Sequence, residues 1–214
     1  MRLVVFGGTG GVGSRVVAQA LDAGHEVVVY TRSPTRVAAR AGLTVIEGEL
    51  GDAPSIARTI EGADAVISAL GSMANTPDQV EIFGQAMTHI TSAMAAHGVD
   101  RLVAISGAIV VLTPEDEMTL SRWLMGHVLR SMKRHVAAAK QREYAVITAT
   151  DLNWVVVRPT RVVPGPATGS YGASPGRAPG AKIAQGDVAD FMLKCTVGDE
   201  WVRRAPVVGA RAAR

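Results

Sequence analysis

Short runs of apolar residues recur along the chain and alternate with longer amphipathic segments. Residues 3–6, 27–30, 43–46, 65–70, 102–105 and 154–157 are rich in valine and isoleucine, with little polar interruption. A strand with one wet face alternates apolar and polar positions. A run that stays apolar is covered on both faces, as in a parallel sheet. The segments between these runs read as helices. Residues 12–23 set Val12, Val16, Val17, Ala20 and Leu21 on one face and stop at Gly24. Ser33-Pro34 opens a short helix with Ser33 as its cap, Asp52-Ala53-Pro54 opens another, and Thr76-Pro77 opens a long one that closes at His97-Gly98. Residues 118–150 are basic and helical in period, with a break expected near Gly126. Residues 187–195 supply the last helix. Repeated strand–helix units with right-handed crossovers predict an α/β Rossmann fold. It is expected to be a doubly wound parallel sheet of about six strands with a small C-terminal substrate-side region.

Residues 158–182 resist that pattern. They hold Pro159, Pro164, Pro166, Pro175 and Pro179 among Gly165, Gly169, Gly172, Gly176 and Gly180. The reading is a long loop at the carboxyl edge of the sheet, acting either as a substrate lid or as a flexible connector. Residues 209–214 are expected to fray.

The first strand runs into Gly7-Gly8-Thr9-Gly10-Gly11-Val12-Gly13. Gly8, Gly10 and Gly13 read G-x-G-x-x-G, and Gly7, Gly10 and Gly13 read G-x-x-G-x-x-G. Both spacings serve one need. One glycine makes the turn out of the strand, Gly10 lets backbone approach a diphosphate, and Gly13 lets helix and strand pack closely. The helix N-terminus then offers N–H groups and the positive end of its dipole to the phosphates. Strand before and helix after are the context that gives the motif meaning. Thr9, Gly11 and Val12 complete the expected dinucleotide cradle. The second strand ends Tyr30-Thr31-Arg32, with no acid to accept from a ribose 2′-hydroxyl. A guanidinium there suits a 2′-phosphate, and Arg36 lies one helical turn on, so NADP(H) is expected in preference to NAD(H).

Composition narrows the remaining choices. The 214 residues are 48% apolar and 19% charged with a net charge of +3, which suits one globular domain spanning residues 1–214. The charge favours small anionic ligands and makes no case for nucleic acid. No apolar stretch nears the roughly 18 residues that span a bilayer, so no membrane association is expected. The apolar start is too short for a signal peptide, and Cys195 is the single cysteine, so a cytoplasmic setting is expected. His25, His89 and His127 show no ligand spacing, and no metal site is expected.

With these motifs in view, the chain resembles the atypical short-chain dehydrogenases. It is most similar to the NAD(P)H-binding group that contains biliverdin-IX beta reductase, also a flavin reductase, and the NmrA-like proteins. The resemblance spans almost the whole chain. It rests on residues 6–13, 30–32, 86–106 (with Ala96-His97-Gly98-Val99-Asp100), 152–159 and 183–193 (with Asp187-Val188-Ala189). It implies that Glu49 and Leu50 lie against adenine, where the family carries Gly-Asp-Val and this chain has Glu for the Asp. It implies that Leu70 and Gly71 border the ribose, that Ser106 and Gly107 border the nicotinamide, and that Pro159 and Thr160 close over the carboxamide. Reductase-like members carry Ser or Thr at both of positions 106 and 107; this chain keeps only Ser106.

The short-chain family's usual acid is a Tyr followed four residues later by Lys. Tyr30, Tyr144 and Tyr171 are followed at that distance by Pro34, Thr148 and Pro175. Alignment on Arg158-Pro159 matches Lys140 to the family's Lys and sets Val136 where the Tyr stands. Alcohol–ketone chemistry through that tyrosine, and epimerase-like chemistry, are therefore not expected. Hydride transfer to a conjugated small molecule (a flavin, quinone or tetrapyrrole) needs no such acid, because the acceptor delocalises the incoming charge and solvent supplies the proton. Ser106 either orients the rings or is a strand-end hydroxyl tied to backbone. Lys140 and Arg161 either attract acceptor carboxylates or phosphates or are ordinary surface charges. A non-catalytic NADP(H)-binding sensor is the alternative. His135, beside the tyrosine position, is a further candidate. Arg122, Arg130, Lys133 and Arg134 either steer anions or form a solvated face.

Overall fold

The computed structural model describes residues 1–71, 74–108, 110, 113–117 and 120–211. β1 (Arg2–Phe6) leads to α1 (Gly13–Asp22), β2 (Glu26–Thr31), a 3₁₀ turn (Pro34–Arg36), β3 (Leu43–Glu47), α2 (Ala53–Ile60), β4 (Ala65–Ser68), α3 (Asp78–Ala96) and β5 (Arg101–Ile105). Then follow α4 (Leu120–Met132), α5 (Arg134–Thr148), β6 (Asn153–Pro159), β7 (Arg161–Val163), β8 (Tyr171–Ser174), β9 (Lys182–Ala184), α6 (Gln185–Val197) and β10 (Val207–Ala210). The main sheet runs β3-β2-β1-β4-β5-β6-β10-β8. Its strands are parallel except β8, which is antiparallel to β10. This is a Rossmann-type α/β fold, and the six expected strands are all in it.

The continuous apolar runs are explained by two cores, one on each face. Along β1, Val4 and Phe6 point to one core with Val28, Val66, Leu102, Trp154, Ile56 and Met87. Leu3 and Val5 point to the other with Val29, Ile67, Val103, Val155, Val16 and Met192. Successive side chains on a strand alternate faces, so both parities must be apolar when helices cover both sides. Asp52 caps α2 as expected, its carboxylate accepting from Ser55 N at 3.0 Å. Gly24 and Gly98 end α1 and α3 at φ +79° and +67°.

Four expectations change. Ser33 makes no side-chain cap, and the turn after it is a single 3₁₀ turn. The long basic helix breaks at Lys133, not Gly126, which is buried within α4; Met118, its expected start, lies outside the described residues. The cause is tertiary. Asn75, in the segment after β4, accepts from His135 N at 3.0 Å and Val136 N at 3.4 Å and donates to Met132 O at 3.0 Å. One side chain from a distant loop thus caps both helix ends. Residues 158–182 are not an open loop. β7 pairs with β9, and β8 pairs with β10 as the sheet's edge. The expected fraying of the tail is corrected as well, since Gly209 and Ala210 lie in β10 opposite Gly172 and Tyr171. Residues 212–214 lie outside the described residues.

Asp187 holds the turn between β7 and β8. Its buried carboxylate accepts from Thr168 N at 2.6 Å, Gly169 N at 2.9 Å and Thr168 Oγ1 at 2.8 Å. Asp187→Ala strips all three donors of a charged acceptor and is expected to cost about 3 kcal/mol. Urea unfolding of both proteins checks it; a loss under about 1 kcal/mol would show the turn to be held by other contacts.

Candidate functional site

The strand order reverses between β1 and β4, and the crevice at their carboxyl ends is where such sheets bind ligands. The glycine loop sits there. Gly7 has φ +79°, and a Cβ on it would lie 2.6 Å from Ala69 O, just past β4. A Cβ on Gly13 would collide with the Gly7 carbonyl oxygen. Gly7 therefore takes the turn role that the two spacings left shared between Gly7 and Gly8. Gly10 N donates back to Gly7 O at 3.0 Å, which closes the turn. Gly10 and Gly11 are exposed at its mouth, with Thr9 and Val12 half-buried beside them. Gln185, first residue of α6, covers Gly11, where a Cβ would overlap its amide. Nothing in the local sequence pairs residue 11 with residue 185.

One end of the crevice is built by β2 and the segment after β3. Tyr30 Oη donates to Glu49 O at 2.9 Å, and Gly48 N donates to Thr31 O at 3.1 Å. These bonds draw Glu49 and Leu50 to the end of β2, beside Arg32. Burial pushes the Tyr30 phenol up, so it stays a donor. Leu50 packs on the core, and its carbonyl meets His89 Nδ1 at 3.2 Å. Arg32 and Arg36 are exposed and have no ion pair among the described residues. Arg36 lines a cavity of about 170 Å³ with Gly8, Thr9, Ser14 and Val37, so a cation faces the glycine loop.

The other end is built by β4, β5 and β6. Ser106 N donates to Val157 O at 2.8 Å, Ala108 N to Pro159 O at 3.0 Å and Thr160 N to Val208 O at 2.9 Å. Leu70, Gly71, Ser106, Gly107, Pro159 and Thr160 therefore share one edge. The hydroxyls of Ser68, Ser106 and Thr160 are buried there without a partner among the described residues. Buried hydroxyls are nearly always hydrogen-bonded, so three orphans on one edge fit a ligand rich in polar atoms. A dinucleotide thus fits the residues present: a backbone cradle in the middle, cations without ion pairs among the described residues at one end, unpartnered hydroxyls at the other. Among the described residues Ser106 is not tied to backbone through its hydroxyl, and Ser68 was missed because a serine inside an apolar run carries no signal of its own.

Lys140 differs from both of its expected roles. Its ammonium is turned inward and donates to Leu70 O at 2.6 Å, Ile105 O at 3.1 Å and Glu143 Oε2 at 3.0 Å. Three acceptors match its three protons, which leaves none for an acceptor carboxylate. The residue positions the ends of β4 and β5. Glu143 is buried with it, and desolvation pushes its carboxyl up against the pull of Lys140. Glu143 was not anticipated, since its need for a partner depends on burial. Val136 is half-buried one turn before Lys140. Arg161 is exposed just past Thr160.

Arg158 is fully buried next to that edge. It donates to Asp116 Oδ2 and Ala205 O at 2.6 Å each, to Pro175 O at 2.8 Å and to Thr113 Oγ1 at 3.3 Å. It ties the segment after β5 to the one after β8. Tyr144 packs edge-on to Trp154 with its phenol pushed up by burial. His135 is paired with Arg134 at 3.0 Å. Cys195 is buried and pushed up to about 12, so its thiol stays protonated. The side chains of Arg122 and Arg130 lie outside the described ones. A cavity of about 380 Å³ lined by Tyr171, Phe191, Lys194 and Trp201 lies between β8 and α6.

Lys140→Met removes the partner of a buried carboxylate and leaves two strand-end carbonyls unpaired. Breaking such a pair on one side costs about 3–5 kcal/mol. Denaturant unfolding is expected to show that loss, and Lys140→Met/Glu143→Leu to recover a large part of it.

Comparison with known proteins agrees with this geometry. Residues 7–197 match the family described as NAD(P)H-binding. The chain is 31% identical over 121 residues to a (4-alkanoyl-5-oxo-2,5-dihydrofuran-3-yl)methyl phosphate reductase of Streptomyces griseus, covering 56% of this chain and 39% of that protein. The chain spans about a quarter to two fifths of the length of the curated relatives it matches first. Among solved structures it is similar to ChuY, an anaerobillin reductase of Escherichia coli O157:H7, with a TM-score of 0.80 and 18% identity over 100% of this chain and 99% of that one. It is also similar to a short-chain dehydrogenase/reductase of Veillonella parvula in complex with NADP, with a TM-score of 0.79 and 18% identity over 97% and 94% of the two chains. The glycine loop at the switch point and the match over residues 7–197 place this chain in the NAD(P)H-binding family.

Proposed function

We propose that the protein is an NADPH-dependent oxidoreductase that transfers hydride to a conjugated small-molecule acceptor, a flavin, quinone or tetrapyrrole-like ring. The reading rests on Ser106, Gly107, Pro159 and Thr160 sharing the strand-end edge beside the glycine loop, with Val136 one turn before Lys140, where the short-chain family's acid would stand. The nicotinamide supplies a hydride when bound. Gly7, Gly10, Gly11 and Gly13, with Thr9 and Val12, hold the diphosphate by backbone. Arg32 and Arg36 receive the 2′-phosphate, and Glu49 and Leu50 flank the adenine. Leu70 and Gly71 border the ribose. Ser106, Gly107, Pro159 and Thr160 meet the carboxamide with the unpartnered hydroxyls, and Arg161 draws anionic acceptors to the mouth. The likeness to a curated reductase supports the class of reaction. A bound NADPH would supply the two electrons and hydrogen as hydride, and the reduced acceptor would take its balancing proton from solvent.

A second reading is a sensor that holds NADP(H) without turnover. The same Val136 favours it, because no phenol stands one turn before Lys140 to donate a proton.

Charge-assisted hydrogen bonds are worth about 1.5–3 kcal/mol, so Arg32→Ala is expected to weaken NADPH roughly 10- to 150-fold and leave NADH nearly unchanged. Calorimetric titration of both cofactors decides it; equal affinity of the unaltered protein for NADH and NADPH removes Arg32 from the role. Stopped-flow mixing of NADPH-loaded protein with FMN, a quinone and a tetrapyrrole separates enzyme from sensor. A reductase shows protein-dependent oxidation with at least one acceptor, kept in Tyr144→Phe. Oxidation no faster than in buffer across the panel sinks the reductase and promotes the sensor.

A further inference from the structure

α4 carries an exposed apolar face. Positions 120, 123, 124, 127, 128, 131 and 132 follow the spacing of one helical face, and all of them are exposed. Leu120 is 81% exposed, Met132 67%, Leu124 56%, and Trp123 and Val128 48% each. Trp123 stacks on His127 within that face at 5.5 Å. Single exposed apolar side chains are ordinary, but five on one helical face form a patch that calls for a partner.

Charge indicates which partner. From residue 118 to residue 142 the sequence carries Arg122, Arg130, Lys133, Arg134, Lys140 and Arg142 and no aspartate or glutamate. Lys140 is neutralised by Glu143, whereas Lys133 and Arg134 are exposed and have no ion pair among the described residues. An apolar face bearing a tryptophan, on a helix with excess cations, suits the boundary of an anionic bilayer. The apolar side chains enter the acyl region, the indole sits at headgroup depth, and lipid phosphates meet the cations. A second copy of this face would bring no acid within the helix to meet those cations. No helix among the described residues is long and apolar enough to cross a membrane, so the contact would lie along the surface.

We propose that α4 is a membrane-docking helix that binds the protein peripherally to anionic lipid through Leu120, Trp123, Leu124, Val128 and Met132, with Lys133 and Arg134 on the headgroups. α4 follows β5 through the segment that begins at Ser106, so docking sets the carboxyl edge of the sheet near the lipid.

Co-sedimentation with vesicles of phosphatidylglycerol and phosphatidylcholine, against phosphatidylcholine alone, tests it. Binding is expected to the anionic vesicles and to fall as salt rises. Leu124→Glu and Val128→Glu change exposed positions, and circular dichroism is expected to match the unaltered protein. Each is expected to weaken vesicle binding about tenfold or more. Lys133→Glu, with the apolar face intact, is expected to weaken only the anionic component. No NADPH or acceptor is present, so the result stands apart from the proposed reduction. Absence of binding to anionic vesicles, equal binding to neutral ones, or binding unchanged in Leu124→Glu overturns the proposal. So does a dimer in sedimentation velocity that Leu124→Glu dissolves, which assigns the face to a second copy.

Discussion

The architecture depends on one close approach of backbone to backbone. Between β1 and α1 the chain turns so tightly that the Gly7 carbonyl occupies the space a side chain on residue 13 would need, and Gly7 itself lies against Ala69 at the end of β4. This contact sets the angle at which α1 leaves the sheet and aims its N-terminus over the crevice between β1 and β4. Dispersion between packed atoms falls off steeply with distance, so a loop pushed outward by one methyl would lose contact with both strands. The bare backbone at short range that such loops use to cradle phosphate also docks the first helix to the sheet here.

Two buried cations complete the other end, and neither is free to act on a ligand in this arrangement. Lys140 joins the carbonyls at the ends of β4 and β5, and Arg158 joins the segments after β5, β8 and the last helix. Placing a charge inside is costly unless each donor finds an acceptor, and each of these does so through several bonds. Their effect is to pin loops that would otherwise move independently, and so to keep the unpartnered hydroxyls of Ser106 and Thr160 on one edge. Rigid support beneath a site whose own polar atoms are left unpartnered is what pre-organised binding requires.

The basic stretch from α4 into α5 shows how burial changes the meaning of one residue type. Lys140 and Lys133 lie seven residues apart, and the first is a buried tie while the second faces solvent beside an apolar stripe. Sequence spacing cannot separate the two, because α4 and α5 are distinct helices. Their junction is set by Asn75, nearly sixty residues upstream.

The sequence by itself determined the α/β class, the six central strands, the two-sided burial of those strands and the location of the glycine loop. These follow from local patterns: apolar character at both strand parities, glycine where a Cβ cannot fit, and caps such as Asp52 that act within one turn. Tertiary structure alone decided the rest. The break at Lys133, the pairing of β8 with β10 and β7 with β9, the inward turn of Lys140 toward Glu143, and the cover of Gly11 by Gln185 all join residues remote in sequence. Each is governed by which groups lose water together when the sheet closes, and no window of neighbouring residues carries that information.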